Sequence, residues 1–227
     1  MTRNSEPVAS VAVLVSGGLD SAILTARLAQ TESLVQPIYV STGLAWEPAE
    51  LHYLRRYLER IDGGRLRPLK ILDQPTADLY AGHWSVTGRG TPDASTADEA
   101  VYLPGRNPLL LVKPAIWCRL EGIERLALAP LMSNPFPDAT PEFFDDFARL
   151  MGRATAGQLT IERPFAKLHK RDVMALGAGL PLEHTFSCIR PVGLEHCGSC
   201  NKCAERQAAF ADANLTDPTR YAIAGAR

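Results

Sequence analysis

The chain has 227 residues, of which 46% are hydrophobic, and it carries a formal net charge of −1 at pH 7. This length suffices for one α/β domain with a small appendage, and the near-neutral charge argues against a nucleic-acid-binding protein with a broad basic surface. No apolar run reaches the roughly 18 residues that a membrane helix needs, and residues 1–10 are polar with no signal-peptide core, so a cytoplasmic location is expected.

Strand-like and helix-like patterns alternate along the chain. An apolar run at residues 11–15 predicts a buried strand, and residues 22–29 predict a helix directly after its glycine turn. Further strands are predicted at residues 34–40, 67–72, 125–129 and 159–162, and further helices at residues 51–61, 108–120, 141–151 and 170–176. Repeated βα units predict an α/β fold with a doubly wound, mostly parallel sheet that binds ligands at the carboxyl ends of its strands.

Two features interrupt this regular alternation. Residues 73–104 are rich in Gly, Pro, Thr and Asp; a loop of that length is usually functional or mobile, and a disordered insertion is the alternative. In the helix predicted at residues 108–120, Pro108 suits the first turn. Pro114 is expected to kink or shorten that helix because proline lacks an N–H donor.

The turn after the first predicted strand carries the sequence Ser16-Gly17-Gly18-Leu19-Asp20-Ser21. A helix start offers unpaired backbone N–H groups, and two glycines let the backbone approach a ligand closely, so the turn suits an anion. It has neither the Gly-Lys-Ser/Thr of the triphosphate P-loop nor the Gly-x-Gly-x-x-Gly of dinucleotide-binding folds. An ordinary strand-to-helix turn is the alternative.

Four of the five cysteines, Cys188, Cys197, Cys200 and Cys203, lie in the last quarter of the chain with the spacing C-x8-C-x2-C-x2-C. In a reducing compartment such a group indicates a metal rather than disulfides. Four thiolates at this spacing predict a closed, structural zinc site. An iron–sulfur cluster is the main alternative, and free thiols or disulfides are the other.

The string at residues 16–21 resembles the pyrophosphate-binding loop (PP-loop) of the ATP pyrophosphatase superfamily, whose members cleave ATP between the α- and β-phosphates and adenylate a substrate oxygen. Together with the cysteine spacing, it resembles the 7-cyano-7-deazaguanine synthase family of queuosine biosynthesis, and the likeness covers nearly the whole chain. Residues 104–107, 164–172 and 185–188 resemble further motifs of that family, and residues 84–87 are a weaker match.

The resemblance implies an adenine nucleotide alpha-hydrolase-like fold, with a PP-loop ATP pyrophosphatase domain at residues 1–180 and a zinc-binding lobe at residues 181–227. The residues that it implies for ATP binding are Val15, Ser16, Gly17, Gly18, Leu19, Asp20, Ser21, Gly105 and Arg106. It also implies that Asn107 and Asp138 contact the substrate. For Asp138, a cap on the helix that begins near residue 141 is the alternative role.

Three residues are the expected catalytic groups. Asp20 is expected to hold Mg²⁺ or its waters, with a helix-capping carboxylate as the alternative. Arg106 is expected to bind the nucleotide phosphates or the substrate carboxylate through its planar guanidinium. Lys167 is expected to neutralise the departing pyrophosphate, because the reaction depends on charge stabilisation rather than on a general base.

The reaction that the resemblance implies is that of an ATP-dependent C–N ligase. The carboxylate of 7-carboxy-7-deazaguanine attacks ATP to form an acyl adenylate, ammonia displaces AMP to give an amide, and a second ATP activates the amide so that it becomes the nitrile. Mg-ATP is a substrate and zinc is structural. A homodimer is expected, without a membrane or nucleic-acid partner.

Two stretches depart from the pattern of that family. A Tyr-Gly-Gln-Arg-His type segment is replaced by Thr-Gly-Leu-Ala-Trp at residues 42–46, and Tyr-Pro-Asp-Cys-Arg by Phe-Pro-Asp-Ala-Thr at residues 136–140. Both are expected near the substrate. Two alternatives therefore stay open: a paralogue that uses the same adenylation chemistry on another acceptor such as RNA or protein, and a non-catalytic nucleotide-binding module.

Overall fold

A computed structural model describes residues 9–222, and its centre is one sheet of five parallel strands. The strands are β1 (Val11–Leu14), β2 (Val35–Ser41), β3 (Lys70–Asp73), β4 (Arg125–Ala127) and β5 (Thr160–Glu162). Their order is β3-β2-β1-β4-β5, and each pair of neighbours is parallel. The predicted doubly wound parallel sheet is confirmed.

Eight α-helices connect or follow these strands in the described part of the chain. They are α1 (Leu19–Thr31), α2 (Glu47–Ile61), α3 (Ala77–Tyr80), α4 (Trp84–Thr87), α5 (Arg106–Leu120), α6 (Pro141–Ala154), α7 (Lys170–Leu176) and α8 (Asn201–Asp212). Single 3-10 turns occur at Asp98–Val101, Pro137–Ala139 and Leu182–His184. Within residues 9–222, every helix is too short or too polar to cross a membrane.

The side chains of β1 alternate between two apolar cores, because successive residues of a strand point to opposite faces of the sheet. Val11 and Val13 belong to a core that includes residues from α1, α2, α7 and α8. Ala12 belongs to the opposite core, which includes Leu111 of α5 and Phe144 of α6. Covering both faces in this way leaves the carboxyl ends of the strands as the open edge of the sheet.

Two helices differ from their predicted form. Helix α1 begins at Leu19, so that Leu19, Asp20 and Ser21 form its first turn rather than part of the preceding loop. Pro114 lies inside α5, which runs for 15 residues, so the helix is not shortened there. Burial of Leu111, Ala115 and Cys118 on one face outweighs the lost backbone hydrogen bond.

The long segment at residues 73–104 is folded, so the disordered alternative is wrong. It contains α3, α4 and a 3-10 turn, and it buries Ser85, Val101 and Leu103. Val101 and Leu103 pack in a third apolar core with Trp46 and with the buried Cys188, Cys197, Cys200 and Cys203. This segment therefore joins the sheet domain to the carboxyl-terminal part of the chain.

Residues 181–222 lie against the sheet domain through direct contacts. The Phe186 N–H donates to the carbonyl of Gly17 at 2.7 Å, and Phe210 of α8 lies in the same core as Val13. The division at residues 180 and 181 stays a prediction. Residues 1–8 and 223–227 lie outside the described residues. The predicted cytoplasmic location and the outer limits of the two predicted domains depend partly on these residues.

Candidate functional site

A cavity of about 370 Å³ opens at the carboxyl edge of the sheet. Of the residues predicted to bind ATP or substrate, it is lined by Val15, Ser16, Gly18, Leu19, Asp20, Ser21, Arg106 and Asn107. Gly17, Gly105, Asp138 and Lys167 are not among its lining residues in the described part of the chain. The cavity thus brings together the glycine turn and the start of α5, which are about 90 residues apart in the sequence.

The turn at residues 16–21 is held in shape by its own serines. The Ser21 hydroxyl accepts the Ser16 N–H at 3.2 Å and donates to the Gly18 carbonyl at 3.2 Å. Gly17 has a φ of +76°, and a Cβ there would lie 3.3 Å from both Cγ and the carbonyl oxygen of Glu50. No side-chain hydrogen bond caps α1 at Gly18, and the residues of its first turn line the cavity, so their N–H groups are available to an anion.

Asp20 lies in a cluster of four charged side chains that line the cavity. Lys170 Nζ is 2.7 Å and 2.9 Å from the two carboxylate oxygens of Asp20 and 3.2 Å from Glu205. Lys202 contacts Glu205 at 2.5 Å. Burial lowers the pKa of Lys170, but the carboxylates of Asp20 and Glu205 outweigh that effect and raise it, so Lys170 remains a cation. Asp20 does not act as the helix cap, since Gly18 occupies that position.

Lys167 and Lys170 differ sharply in their surroundings. Lys167 is exposed and precedes α7, whereas Lys170 is the first residue of α7 and lines the cavity. Sequence reasoning singled out Lys167 from its motif and missed the Lys170–Glu205–Lys202 cluster. The partners of Lys170 lie on α1 and α8, which are distant in the sequence, so no local pattern could have revealed this cluster.

Arg106 and Asn107 form the first turn of α5. The Nε atom of Arg106 is buried and has no hydrogen-bond partner among the described residues, which leaves it free to bind an anion. The Asn107 N–H donates to the Asp138 carboxylate at 3.0 Å, and Asn107 Nδ2 donates to the Asp138 carbonyl at 2.9 Å. Asp138 therefore holds the start of α5 in place.

The alternative role considered for Asp138, a cap on the next helix, is wrong. The N-cap of α6 is Thr140, whose hydroxyl accepts the Phe143 N–H at 3.1 Å. Asp138 is buried three residues before α6, and its carboxylate accepts from Asn107 instead. Threonine at an N-cap satisfies a free N–H of the first turn, which makes a second capping carboxylate unnecessary.

Sequence reasoning missed two buried carboxylates, Glu47 and Glu50, on the inner face of α2. Glu47 accepts the N–H groups of Thr42 and Gly43 at 2.5 and 3.0 Å and so fixes the end of β2. Glu50 accepts the Tyr39 hydroxyl at 2.6 Å. Their spacing places both on the same helix face as the buried Leu54. The sequence did contain a signal for them, since both glutamates occupy positions on the apolar face of this helix. Burying a charge costs free energy, so acidic residues at such positions indicate a structural or functional role.

An apolar wall of the cavity is formed by side chains of one packed cluster. Trp46 and Trp84 stack with ring centroids 5.8 Å apart, and both line the cavity. Leu44, Val101, Leu103, Phe136 and Ile189 extend this wall. Leu44, Trp46 and Phe136 come from the two stretches that depart from the family pattern, so both stretches contribute to the cavity lining, and their proximity to the substrate stays a prediction.

The four cysteines predicted to bind a metal come together in a buried cluster. All four Sγ atoms lie within 4.8 Å of one another. The Sγ atoms of Cys188 and Cys200 are 3.8 Å apart, and those of Cys197 and Cys203 are 3.9 Å apart. The N–H groups of Arg190 and Cys197 both donate to Cys188 Sγ at 3.3 Å, a contact that favours a thiolate. The cluster can hold a metal ion.

Helix α8 links this cluster to the cavity. It begins directly after Cys200 and carries Cys203, and its Lys202 and Glu205 line the cavity. On the same helix, the buried Arg206 donates to Thr185 Oγ1 at 2.8 Å and to the Leu182 carbonyl at 3.0 Å. The cysteine cluster therefore fixes the helix that supplies part of the charge cluster.

Comparisons with known proteins show which family this chain resembles. Residues 10–214 match the family model described as queuosine biosynthesis protein QueC. The 7-cyano-7-deazaguanine synthase of Acidobacterium capsulatum is 30% identical, and the alignment covers 92% of this chain and 95% of that protein. The 7-cyano-7-deazaguanine synthase of Methanothermobacter thermautotrophicus is 31% identical, with 92% of this chain and 97% of that protein covered.

One solved structure is similar at a much lower level. A 4-thiouridine synthetase in complex with RNA and ATP is 13% identical, with a TM-score of 0.49, over 90% of this chain and 50% of that chain. A likeness this distant supports no conclusion about the ligands of this chain.

Proposed function

Because this chain belongs to the QueC family of queuosine biosynthesis proteins, we propose that it uses ATP to convert 7-carboxy-7-deazaguanine and ammonia into 7-cyano-7-deazaguanine. The observation that carries the proposal is the cavity in which the glycine turn, Arg106 and Lys170 converge. Such a constellation of helix N–H groups and cations suits a triphosphate that loses pyrophosphate.

The first step of the proposed reaction forms an acyl adenylate. A carboxylate oxygen of the base attacks the α-phosphorus of ATP, and the bond to the bridging oxygen of pyrophosphate breaks with its electron pair. The N–H groups at the start of α1 bind the departing pyrophosphate, while Arg106, Lys170 and Lys202 stabilise its charge. Lys167 is retained as a predicted contact for the same pyrophosphate.

Asp20 is the proposed contact for the Mg²⁺ of Mg-ATP or for its waters. Both of its carboxylate oxygens lie within 2.9 Å of Lys170 Nζ, so the arrival of the cation frees Lys170 to turn toward the pyrophosphate. Burial raises the pKa of Asp20, and the ammonium of Lys170 opposes that effect. A metal ion at this position would favour the charged carboxylate further.

The later steps convert the adenylate into the nitrile. Ammonia attacks the carbonyl carbon, and AMP leaves with the electron pair of the C–O bond to give the amide. The amide oxygen then attacks the α-phosphorus of a second ATP, whose pyrophosphate leaves with the electron pair of the broken P–O bond. Loss of AMP and of the two remaining nitrogen protons yields the nitrile. Asn107 is the proposed contact for the base, and Asp138 is proposed to act on the base through Asn107.

Zinc is the metal proposed for the four cysteines. In a tetrahedron with Zn–S bonds of about 2.3 Å, the sulfur atoms are roughly 3.8 Å apart, which agrees with the separations of 3.8 and 3.9 Å observed. A cluster of four irons would hold its thiolates farther apart, since each binds a different iron. With four protein ligands the zinc is structural and has no open position for substrate.

We also propose that the chain forms a homodimer in the cytoplasm. The exposed side chains Val112, Ile116 and Leu120 follow one face of α5 at intervals of four residues, and a stripe of this kind supports a contact with a second copy. A sedimentation measurement of the wild type and of a Leu120→Lys variant tests it, and an unchanged monomeric mass for both would contradict it.

The proposed activity is tested by incubating the protein with Mg-ATP, ammonium and 7-carboxy-7-deazaguanine and following AMP and the mass of the base. We expect AMP together with a product of the mass of the nitrile. AMP formation only in the presence of RNA or protein would support another acceptor, and tight nucleotide binding without turnover would support a non-catalytic module.

A further inference from the structure

Glu50 is a buried carboxylate that lines the cavity, and its one side-chain hydrogen bond among the described residues is with the Tyr39 hydroxyl. It lies on α2 directly behind the glycine turn and is 8% exposed. The Tyr39 hydroxyl donates to its Oε2 at 2.6 Å, and Oε1 has no hydrogen-bond partner among residues 9–222. Because one carboxylate oxygen is fixed by a hydrogen bond and the other has no partner, the side chain is oriented to exchange a proton with a ligand.

The other carboxylates that line the cavity are all committed. Asp20 and Glu205 are paired with Lys170 and Lys202, and Glu47 accepts from the backbone of residues 42 and 43. No histidine lines the cavity within residues 9–222. Glu50 is therefore the one carboxylate in this described lining that is free to take up a proton.

The surroundings of Glu50 adjust its proton affinity to neutral pH. Burial raises its pKa to about 7, and Glu47 on the same helix acts in the same direction. The Tyr39 hydroxyl from β2 and the Arg106 guanidinium from α5 oppose this rise. A carboxylate of this kind exchanges a proton at the pH of the cell, which a surface glutamate does not.

The proposed function creates a demand for such a group. When ammonia adds to the adenylate, the nitrogen becomes positively charged and must lose a proton as AMP leaves. Formation of the nitrile removes further protons from the same nitrogen. None of these protons can pass to Lys170 in the phosphate site, since Lys170 is already protonated.

We propose that Glu50, oriented by the hydroxyl of Tyr39, is the catalytic base that accepts the proton of the attacking nitrogen. The inference rests on the proposed function. In this step the nitrogen lone pair forms the C–N bond, and the C–O bond to AMP breaks with its electrons on the phosphate oxygen. The N–H proton moves to Glu50 Oε1 and is later released to water, so that no oxidant or reductant is needed.

The test compares two half-reactions in a Glu50→Gln variant. Exchange of labelled pyrophosphate into ATP, dependent on the carboxylate and without ammonium, reports adenylate formation and is expected to stay within about threefold of the wild type. Amide and nitrile formation at a fixed concentration of free ammonia is expected to fall by about 100-fold, as for loss of a general base. The exposed Glu59 on the same helix provides a matched control, Glu59→Gln, with both rates unchanged.

The pH profile separates a base from a merely structural residue. At fixed free ammonia, the wild-type rate is expected to rise with a midpoint near pH 7, because only the deprotonated Glu50 accepts a proton. Glu50→Gln should show no such midpoint. Tyr39→Phe should shift it to higher pH, because the lost hydrogen bond had lowered the pKa of Glu50.

Each other outcome overturns the inference in a recognisable way. Amide formation by Glu50→Gln within about threefold of wild type, or with the wild-type midpoint, would show that Glu50 is not the base. Equal loss of both half-reactions would place Glu50 in the ATP site instead. Absence of carboxylate-dependent exchange in the wild type would refute the proposed function itself, and the inference with it.

Discussion

Lys170 and Asp20, 150 positions apart in the sequence, form an ion pair in which Nζ lies 2.7 Å from Oδ2. The pair joins the first turn of α7 to the first turn of α1 at the rim of the cavity. It places a cation next to the turn that is proposed to bind pyrophosphate. The proposed roles of these two residues can be separated by substitution.

Lys170→Met is expected to lower kcat/KM for ATP by about 100-fold or more, because a cation that stabilises the departing pyrophosphate is lost. Asp20→Ala should abolish AMP release while the fold stays intact. The exposed Arg171 on the same helix gives a matched control, and Arg171→Met should leave the rate unchanged. Steady-state AMP release measures all three variants.

The same assay distinguishes Lys170 from Lys167. Lys167→Met is expected to lower the rate less than Lys170→Met does, since Lys167 is exposed and outside the cavity lining. A larger loss for Lys167→Met would contradict the assignment of the pyrophosphate contact to Lys170.

Gly17→Ala is expected to destabilise the protein by about 1–3 kcal/mol and to weaken ATP binding. The substitution forces a left-handed φ of +76° on a residue with a side chain, and its Cβ would lie 3.3 Å from Glu50. Gly63→Ala serves as the control, because nothing lies within 4 Å of a Cβ at that position. Urea denaturation measures both, and equal unfolding free energies for the two variants would contradict the structural role of Gly17.

Purified protein is expected to contain about one zinc ion per chain and to be colourless. Cys200→Ser should release the metal, destabilise residues 181–222 and weaken ATP binding, because α8 begins directly after Cys200 and carries Lys202 and Glu205. Cys118→Ala, in α5 and outside the cluster, should keep its metal. Elemental analysis measures the content, and a brown protein rich in iron would refute the zinc assignment.

Glu50 is expected to make folding stability depend on pH. Its pKa rises from 4.5 to about 7 in the folded state, so between these values the folded protein binds more protons than the unfolded chain. The contribution of Glu50 to the unfolding free energy therefore falls as pH increases from about 4.5 to 7, by on the order of 3 kcal/mol. Glu50→Gln should remove this decrease and gain stability relative to wild type as pH rises. Urea denaturation at several pH values measures the unfolding free energy of both proteins. If the two free energies changed with pH in parallel, the pKa of Glu50 would not be raised by folding.

Trp84→Ala is expected to raise KM for the base by about tenfold while changing kcat little. Trp84 and Trp46 stack at the apolar wall of the cavity, and a planar base gains about 1–3 kcal/mol from an aromatic contact. Titration of the carboxylate substrate at saturating ATP gives KM. An unchanged KM would place the base away from this wall.

The features that the sequence predicted well are those that short-range patterns determine. The strand before Ser16, the glycine turn and the spacing of Cys197, Cys200 and Cys203 each depend on neighbouring residues, and all three occur as expected. Lys170–Leu176 matches its predicted limits, because an apolar face and a cap fix a short helix locally.

The features that the sequence did not reveal depend on long-range packing. Glu205 acquires its role only because α8 packs against α7, and Glu50 only because β2 carries Tyr39 to it. Pro114 was expected to kink or shorten α5, but the burial of apolar side chains before and after it in the helix keeps the helix intact. In each case tertiary contacts decide what local propensity leaves open.

We propose that this cavity adenylates one carboxylate and then the amide derived from it. The most direct measurement counts AMP and pyrophosphate per nitrile formed from 7-carboxy-7-deazaguanine, ammonium and excess Mg-ATP. We expect two of each per nitrile and none without the carboxylate. ADP and phosphate as products, or AMP release at the same rate without the base, would contradict it.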